Sequence, residues 1–165
     1  MRKRRFEEVA DYNLIDRGGR KVGPSRLFGN KNDLIPIHNM GRSCPMCTMW
    51  ANGFNGVLRH LEDRAAFAVV SSDPPAIQRK FARSRGWKFQ MLSARGASFI
   101  KDMGFGTEDD PRPGISVFQK KGRRILGVAT DGFGPGDPYC VVYHLFNLLP
   151  SGVSNWHSTF RYGRK

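Results

Sequence analysis

The stretch that decides the fold runs from Leu34 to Leu61. It begins Leu34-Ile-Pro-Ile-His-Asn-Met40, continues Gly41-Arg-Ser-Cys-Pro-Met-Cys47, and passes into Thr48-Met-Trp-Ala-Asn-Gly-Phe-Asn-Gly56. The first part is a short apolar run of strand length, with Pro36 tolerable at a strand start or edge. In the last part Trp50, Phe54, Leu58 and Leu61 recur at helical spacing, which predicts an amphipathic helix over 45–62 despite Gly53 and Gly56. The two cysteines therefore sit where a strand turns into a helix. Cys44 falls at the helix N-terminus, where unpaired N–H groups and the helix dipole favour a thiolate. Pro45 fits the first helical position, where its missing N–H costs nothing. Cys47 lies one turn further, close enough to close a disulfide, and Arg42 is a further candidate to lower the Cys44 pKa. That arrangement predicts attack by Cys44 on a substrate disulfide and resolution by Cys47.

Downstream, Ala66-Phe-Ala-Val-Val-Ser71 reads as a buried strand. Asp73-Pro-Pro75 opens a helix over 75–85, with a basic outer face, that Gly86 stops. Phe89–Ser93 is a short strand and Ser98–Met103 a weak helical turn. Ile115–Gln119 and Ile125–Thr130 flank Lys120-Lys-Gly-Arg-Arg124 and predict a hairpin. A Gly/Pro-rich loop, Asp131–Pro138, leads to a helix around Tyr139–Leu149. Alternating strands and helices, then a hairpin and a last helix, predict an α/β mixed sheet with helices on both faces.

The expected organisation is one domain over 1–165, with a core of 24–152, a basic arm at 1–23 and a basic tail at 153–165. The net charge of +13 is concentrated near the ends. Residues 2–5 are all basic, and residues 17–31 carry five basic and no acidic side chains. Such ends suit a nucleic acid or an acidic protein as partner. With 39% apolar residues and 12 Phe the chain can bury a core, which excludes wholesale disorder. No run approaches ~18 apolar residues, so no membrane span is expected. The basic start lacks the apolar segment of a signal peptide, and three cysteines make no disulfide scaffold. A cytoplasmic location is the expectation.

A zinc-stabilised module is the competing use of the cysteines. Cys140 and His144 stand one helical turn apart and would complete a set with Cys44 and Cys47. Against it, Cys140 reads as a small buried hydrophobe. Trp50 reads as core. Asn52 and Asn55, poor helix-interior residues, read as solvated positions or as contacts.

The chain resembles the thioredoxin fold and, more narrowly, the bacterial thioredoxin-like family catalogued as domain of unknown function 899. The residues that carry this are Gly41–Gly56, His60-Leu61, Phe67–Ser72, Arg85-Gly-Trp-Lys-Phe89, Ser98-Phe99 with Asp102, Gly114–Phe118 and Tyr143–Pro150. The resemblance spans roughly 24–152, although Asn147-Leu-Leu-Pro150 departs from the acidic Asp-Leu-Thr-Pro of the family. It implies thiol–disulfide exchange without a bound cofactor, a thiol or disulfide substrate, and electrons from a dithiol donor. It also implies a cis-proline opposite the cysteines, for which Pro113 is the candidate and Pro111 the competitor. With Pro45, Met46 and Arg42, Pro113 would shape the substrate groove. The Pro-x-x-x-Thr-x-x-Cys pattern of peroxiredoxins is missing ahead of Cys44, which disfavours a peroxidase.

Overall fold

The computed structural model describes residues 7–163. Arg2–Arg5, Arg164 and Lys165, on which part of the basic-end reading rests, lie outside the described residues.

At the centre is Ala66–Ser71 (β5), buried from its second residue on. Both faces of this strand are covered, as its unbroken apolar run requires. It pairs in parallel with Asp33–His38 (β4) on one side and Gln90–Ser93 (β6) on the other. Parallel neighbours need crossovers. Pro45–Gly56 (α2) and Leu58–Arg64 (α3) supply the first, and Pro75–Arg85 (α4) the second. The hairpin of Gly114–Lys121 (β7) and Arg124–Gly132 (β8) adds to β4 in antiparallel fashion. Its turn is tighter than the sequence suggests, because the strands run up to Lys121 and Arg124 and Gly122 takes φ 60°.

Alternate side chains of the sheet feed two cores. Phe67 and Val69 join Ile37, Ala51, Leu58 and Ala82 under α2, α3 and α4. Ala68 and Val70 join Leu34 and Phe118 on the other face, under Pro24–Leu27 (α1) and Phe99–Asp102 (α5). The sheet thus carries helices on both faces.

Three expectations change. The single helix over 45–62 is two: α2 ends at Gly56, Val57 takes φ −108° and ψ 14°, and α3 restarts at Leu58. Two glycines within four residues weaken the helix just where an exposed valine follows. The last helix is shorter than 139–149, spanning Val141–Phe146 (α6).

The largest correction concerns the ends. Residues 1–23 were expected to form an irregular arm outside the fold. Instead Glu7–Glu8 (β1) pairs with β8, Leu14–Asp16 (β2) pairs with β6, and Lys21–Val22 (β3) pairs with β2. They complete an eight-stranded sheet in the order β1-β8-β7-β4-β5-β6-β2-β3. Leu14 is fully buried and Val9 nearly so. The Asp16 carboxylate closes the β2–β3 turn by accepting from the N–H groups of Gly18 and Arg20 and from Arg20 Nε. Strands of two or three residues are too short to show a period, and the Gly18-Gly19 pair that suggested a breaker is the turn of a β-hairpin. At the other end, Trp156 packs edge-on to Phe146 and Tyr143, Phe160 packs against Phe81, and Ser158 is buried. The segment 153–163 is packed, not a free tail.

Candidate active site

The site is built where β4 leaves the sheet. Asn39, buried, accepts from Gly41 N–H through Oδ1 at 2.8 Å and donates Nδ2 to the Cys47 carbonyl at 3.4 Å. Gly41 takes φ 99°, a left-handed conformation that favours glycine. A Cβ there would also stand 2.8 Å from Asp73 Oδ2. That carboxylate, in the loop after β5, accepts from Arg42 N–H at 2.7 Å and so fastens the cysteine loop to the neighbouring strand end. Cys44 then caps α2, and Pro45 follows at the first helical position.

The two thiols are unlike. Cys44 is partly exposed and Cys47 is 2% exposed. Cys44 Sγ accepts from Cys47 N–H at 3.0 Å, which is the N-cap bond of the helix made by sulfur. The two Sγ atoms are 2.6 Å apart, inside contact distance and about 0.6 Å beyond a covalent S–S bond. A hydrogen bond from the Cys47 thiol, with support from the backbone N–H groups of Cys47 and Met46, lowers the Cys44 pKa from 9.0 to about 7. The same bond, together with burial, pushes the Cys47 thiol up. The Arg42 guanidinium is not among the causes, so the expected contribution of that residue is replaced by its neighbours' backbone. One thiol is thus poised as a thiolate near neutral pH, and the other holds its proton against it.

The other expected site residues fall as follows. Pro113 immediately precedes β7, whose Gly114 is in register with His38 at the end of β4. Its carbonyl accepts from Phe133 N–H at 3.0 Å. No peptide bond among the described residues is cis, so the expected cis bond at Pro113 or Pro111 is corrected to trans. Met46 is half-buried against the cluster of Trp50, Cys140 and Tyr143. Arg42 is exposed and lines a cleft with Ser43, Phe81, Ser84, Arg85, Phe160 and Arg161.

The four candidate zinc ligands do not come together. Among the described residues no three His, Cys, Asp or Glu side chains are placed to share a metal ion. Cys140 packs as an apolar group against Trp50 and Tyr143, and His144 Nε2 lies 2.8 Å from the Asp137 carbonyl. Asn52 and Asn55 prove to be contacts. Asn52 Oδ1 accepts from Trp87 Nε1 at 2.7 Å, and Asn55 Oδ1 accepts from Lys88 N–H at 2.8 Å, tying α2 to the end of α4.

Sequence reasoning missed Asn39, Asp73 and His38. His38 is buried between Phe105 (centroids 3.9 Å) and Phe99 (5.4 Å), with Nε2 2.8 Å from Ser116 Oγ. Burial lowers its pKa to about 3, so it stays neutral. The only signal for Asn39 and Asp73 was a polar residue at each of two adjacent parallel strand ends, the usual place for a site in an α/β sheet.

A strand running into Cys-x-x-Cys at a helix N-terminus, on a mixed sheet closed by a hairpin, defines a thioredoxin-like protein. The chain belongs to the family described as bacterial protein of unknown function (DUF899), whose model matches residues 10–162. That match takes in most of the segments expected to be arm and tail. Among solved structures it is similar to peroxidoxin BcpB from Mycobacterium tuberculosis, at 24% identity over 76% of this chain and 84% of that one, with TM-score 0.65. It is also similar to reduced Prx3 from Vibrio vulnificus in complex with H2O2, at 14% identity over 81% and 89%, with TM-score 0.65. A variant of PrxQ from Xylella fastidiosa matches at 15% identity over 74% and 84%, with TM-score 0.62. At these identities the likeness establishes the thioredoxin-like fold. No curated protein matches the chain.

Proposed function

We propose that the protein is a thiol–disulfide oxidoreductase in which Cys44 attacks and Cys47 resolves. What carries the reading is the asymmetry of the pair: Cys44 Sγ takes a backbone N–H at 3.0 Å at a helix start, while Cys47 is buried behind it. The Cys44 thiolate attacks a substrate disulfide, forming a mixed disulfide and releasing one substrate thiolate. Cys47, giving up its proton, attacks Cys44 Sγ, forms the Cys44–Cys47 disulfide and releases the second thiolate. Two electrons pass from protein to substrate, and a dithiol donor returns them. No bound cofactor enters the cycle. Pro113, Pro45, Met46 and Arg42 are the residues we assign to the rim of the substrate groove.

A second reading is peroxide reduction, favoured by the fold shared with the peroxidoxin and Prx3 structures. There the Cys44 thiolate takes one peroxide oxygen to become a sulfenic acid, releasing the alcohol or water. Cys47 then condenses with it to the same disulfide and water. The missing Pro-x-x-x-Thr-x-x-Cys ranks it second.

Redox titration of the wild type beside Cys44→Ser and Cys47→Ser tests the first reading. The expected outcome is one two-electron disulfide in the wild type and none in either variant; no disulfide at any accessible potential overturns both readings. Adding H2O2 in place of a disulfide substrate separates them, by whether the Cys44–Cys47 bond forms at a competitive rate. Among the described residues no helix is long and apolar enough to cross a membrane. The cytoplasmic placement belongs to this proposal, and cell fractionation tests it.

A further inference from the structure

Beside the cysteine loop the surface is concave and basic. A cleft of about 430 Å³ is lined by Arg42, Ser43, Phe81, Ser84, Arg85, Phe160 and Arg161. It is a broad groove open to solvent, suited to holding the charged end of a ligand and not to enclosing one. Arg42 and Ser43, which precede Cys44 in the chain, line the cleft, so it adjoins the cysteine loop. A second hollow of about 180 Å³ shares Arg42, Phe81 and Ser84 and adds Ile77 and Lys80.

The charges of this cleft are uncompensated. No acidic residue lines either hollow. The nearest carboxylate on the loop, Asp73, is taken up by the Arg42 backbone N–H. Among the described residues Arg42, Lys80, Arg85 and Arg161 enter no ion pair. Arg85 is also held in place. Its guanidinium lies between the Phe81 ring at 5.3 Å and the Phe160 ring at 5.6 Å, and one N–H donates to the Phe160 carbonyl at 3.0 Å. A guanidinium fork has five donors, so the others remain for a carboxylate. The tail that was expected to be a free basic end supplies Phe160 and Arg161 to this wall.

We propose that the cleft binds the anionic portion of a low-molecular-weight thiol or disulfide bearing carboxylates. Arg85 and Arg161 hold the acid groups, the packed Phe81 and Phe160 rings form the wall that fixes Arg85, and Arg42 draws the sulfur-bearing end to Cys44. This rests on the thiol–disulfide reading and names the substrate class for it.

The binding half is tested without chemistry. S-Methylglutathione, an unreactive dicarboxylate thioether, is titrated calorimetrically into Cys44→Ser, alone and combined with Arg42→Gln plus Arg161→Gln, or with Arg83→Gln. Arg83 is basic and on α4 but outside the cleft lining. Expected is saturable one-to-one binding, weakened about tenfold or more by the cleft pair and unchanged by Arg83→Gln. Absence of binding, or equal weakening by Arg83→Gln, overturns the proposal whether or not Cys44 is redox-active. In the wild type, the rate of Cys44 oxidation by glutathione disulfide relative to the neutral bis(2-hydroxyethyl) disulfide is expected to exceed unity at low salt. That ratio should fall about tenfold in the cleft pair. A ratio near one in the wild type also overturns it. Failure of the redox reading has a different signature, no reaction with the neutral disulfide.

Discussion

Cys44 and Cys47 share a motif and differ in everything else that matters for their chemistry. The N-cap position gives Cys44 a backbone N–H, and the third helical position buries Cys47 with its thiol aimed at its partner. The sign of the pH effect follows. Because the folded-state pKa of Cys44, about 7, lies below the ordinary 9.0, the folded chain binds fewer protons than the unfolded one between those values. The stability this contributes is present above about pH 9 and is lost as pH falls through about 7. Reactivity follows the same ionisation. Alkylation of Cys44 by iodoacetamide is expected to rise with pH and level off above about 7. In Cys47→Ala, which removes the donating thiol and keeps the backbone N–H, the midpoint should move up toward 9.0. An unmoved midpoint in the alkylation profile would assign the lowering to the helix start alone.

At the scale of elements, α2 is held by its flanks. Trp50, 3% exposed, joins it to Cys140 and Tyr143 at the start of α6, and Asn52 and Asn55 tie its other side to the end of α4. Trp50 Nε1 is buried and has no hydrogen-bond acceptor among the described residues. Trp50→Ala is expected to cost about 3–5 kcal/mol through the cavity it opens. Trp50→Phe should cost much less, because it keeps most of the ring and removes a buried, unsatisfied donor. Urea unfolding of the two variants measures the difference; equal losses would mean that the indole N–H has a partner in solution.

For the whole molecule, the edges are the part that rewrites the organisation. β1 covers β8 and β2 covers β6, so removing residues 1–23 would bare two sheet edges and take away the buried Val9 and Leu14 side chains. Burying each such side chain contributes roughly 1.5–3 kcal/mol. The truncated chain should therefore melt lower by on the order of 10 °C, read as Tm by calorimetry. A truncation with unchanged Tm would return this segment to the status of an appendage. The charge is reassigned in the same way. Of the basic cluster at 17–31, Arg20 pairs with Asp16, and Lys31 donates to the Asp63 carbonyl. It decorates the folded sheet instead of a loose arm.

What the amino-acid sequence determined by itself is the frame of the site: an apolar strand, the Cys-Pro-Met-Cys turn, an amphipathic helix, the buried central strand and the hairpin. Each of these is long or chemically distinctive enough to carry its own signal in period, proline or glycine placement. Only the tertiary structure decided the rest, since the deciding contacts join residues far apart in the chain. Asp73 reaches the Gly41–Arg42 turn across two strand ends, Phe160 and Arg161 close a wall begun by Arg42, and two- or three-residue strands exist only because a longer neighbour offers them hydrogen bonds. Pro113, one residue ahead of β7, is trans, a choice of backbone isomer that spacing does not encode.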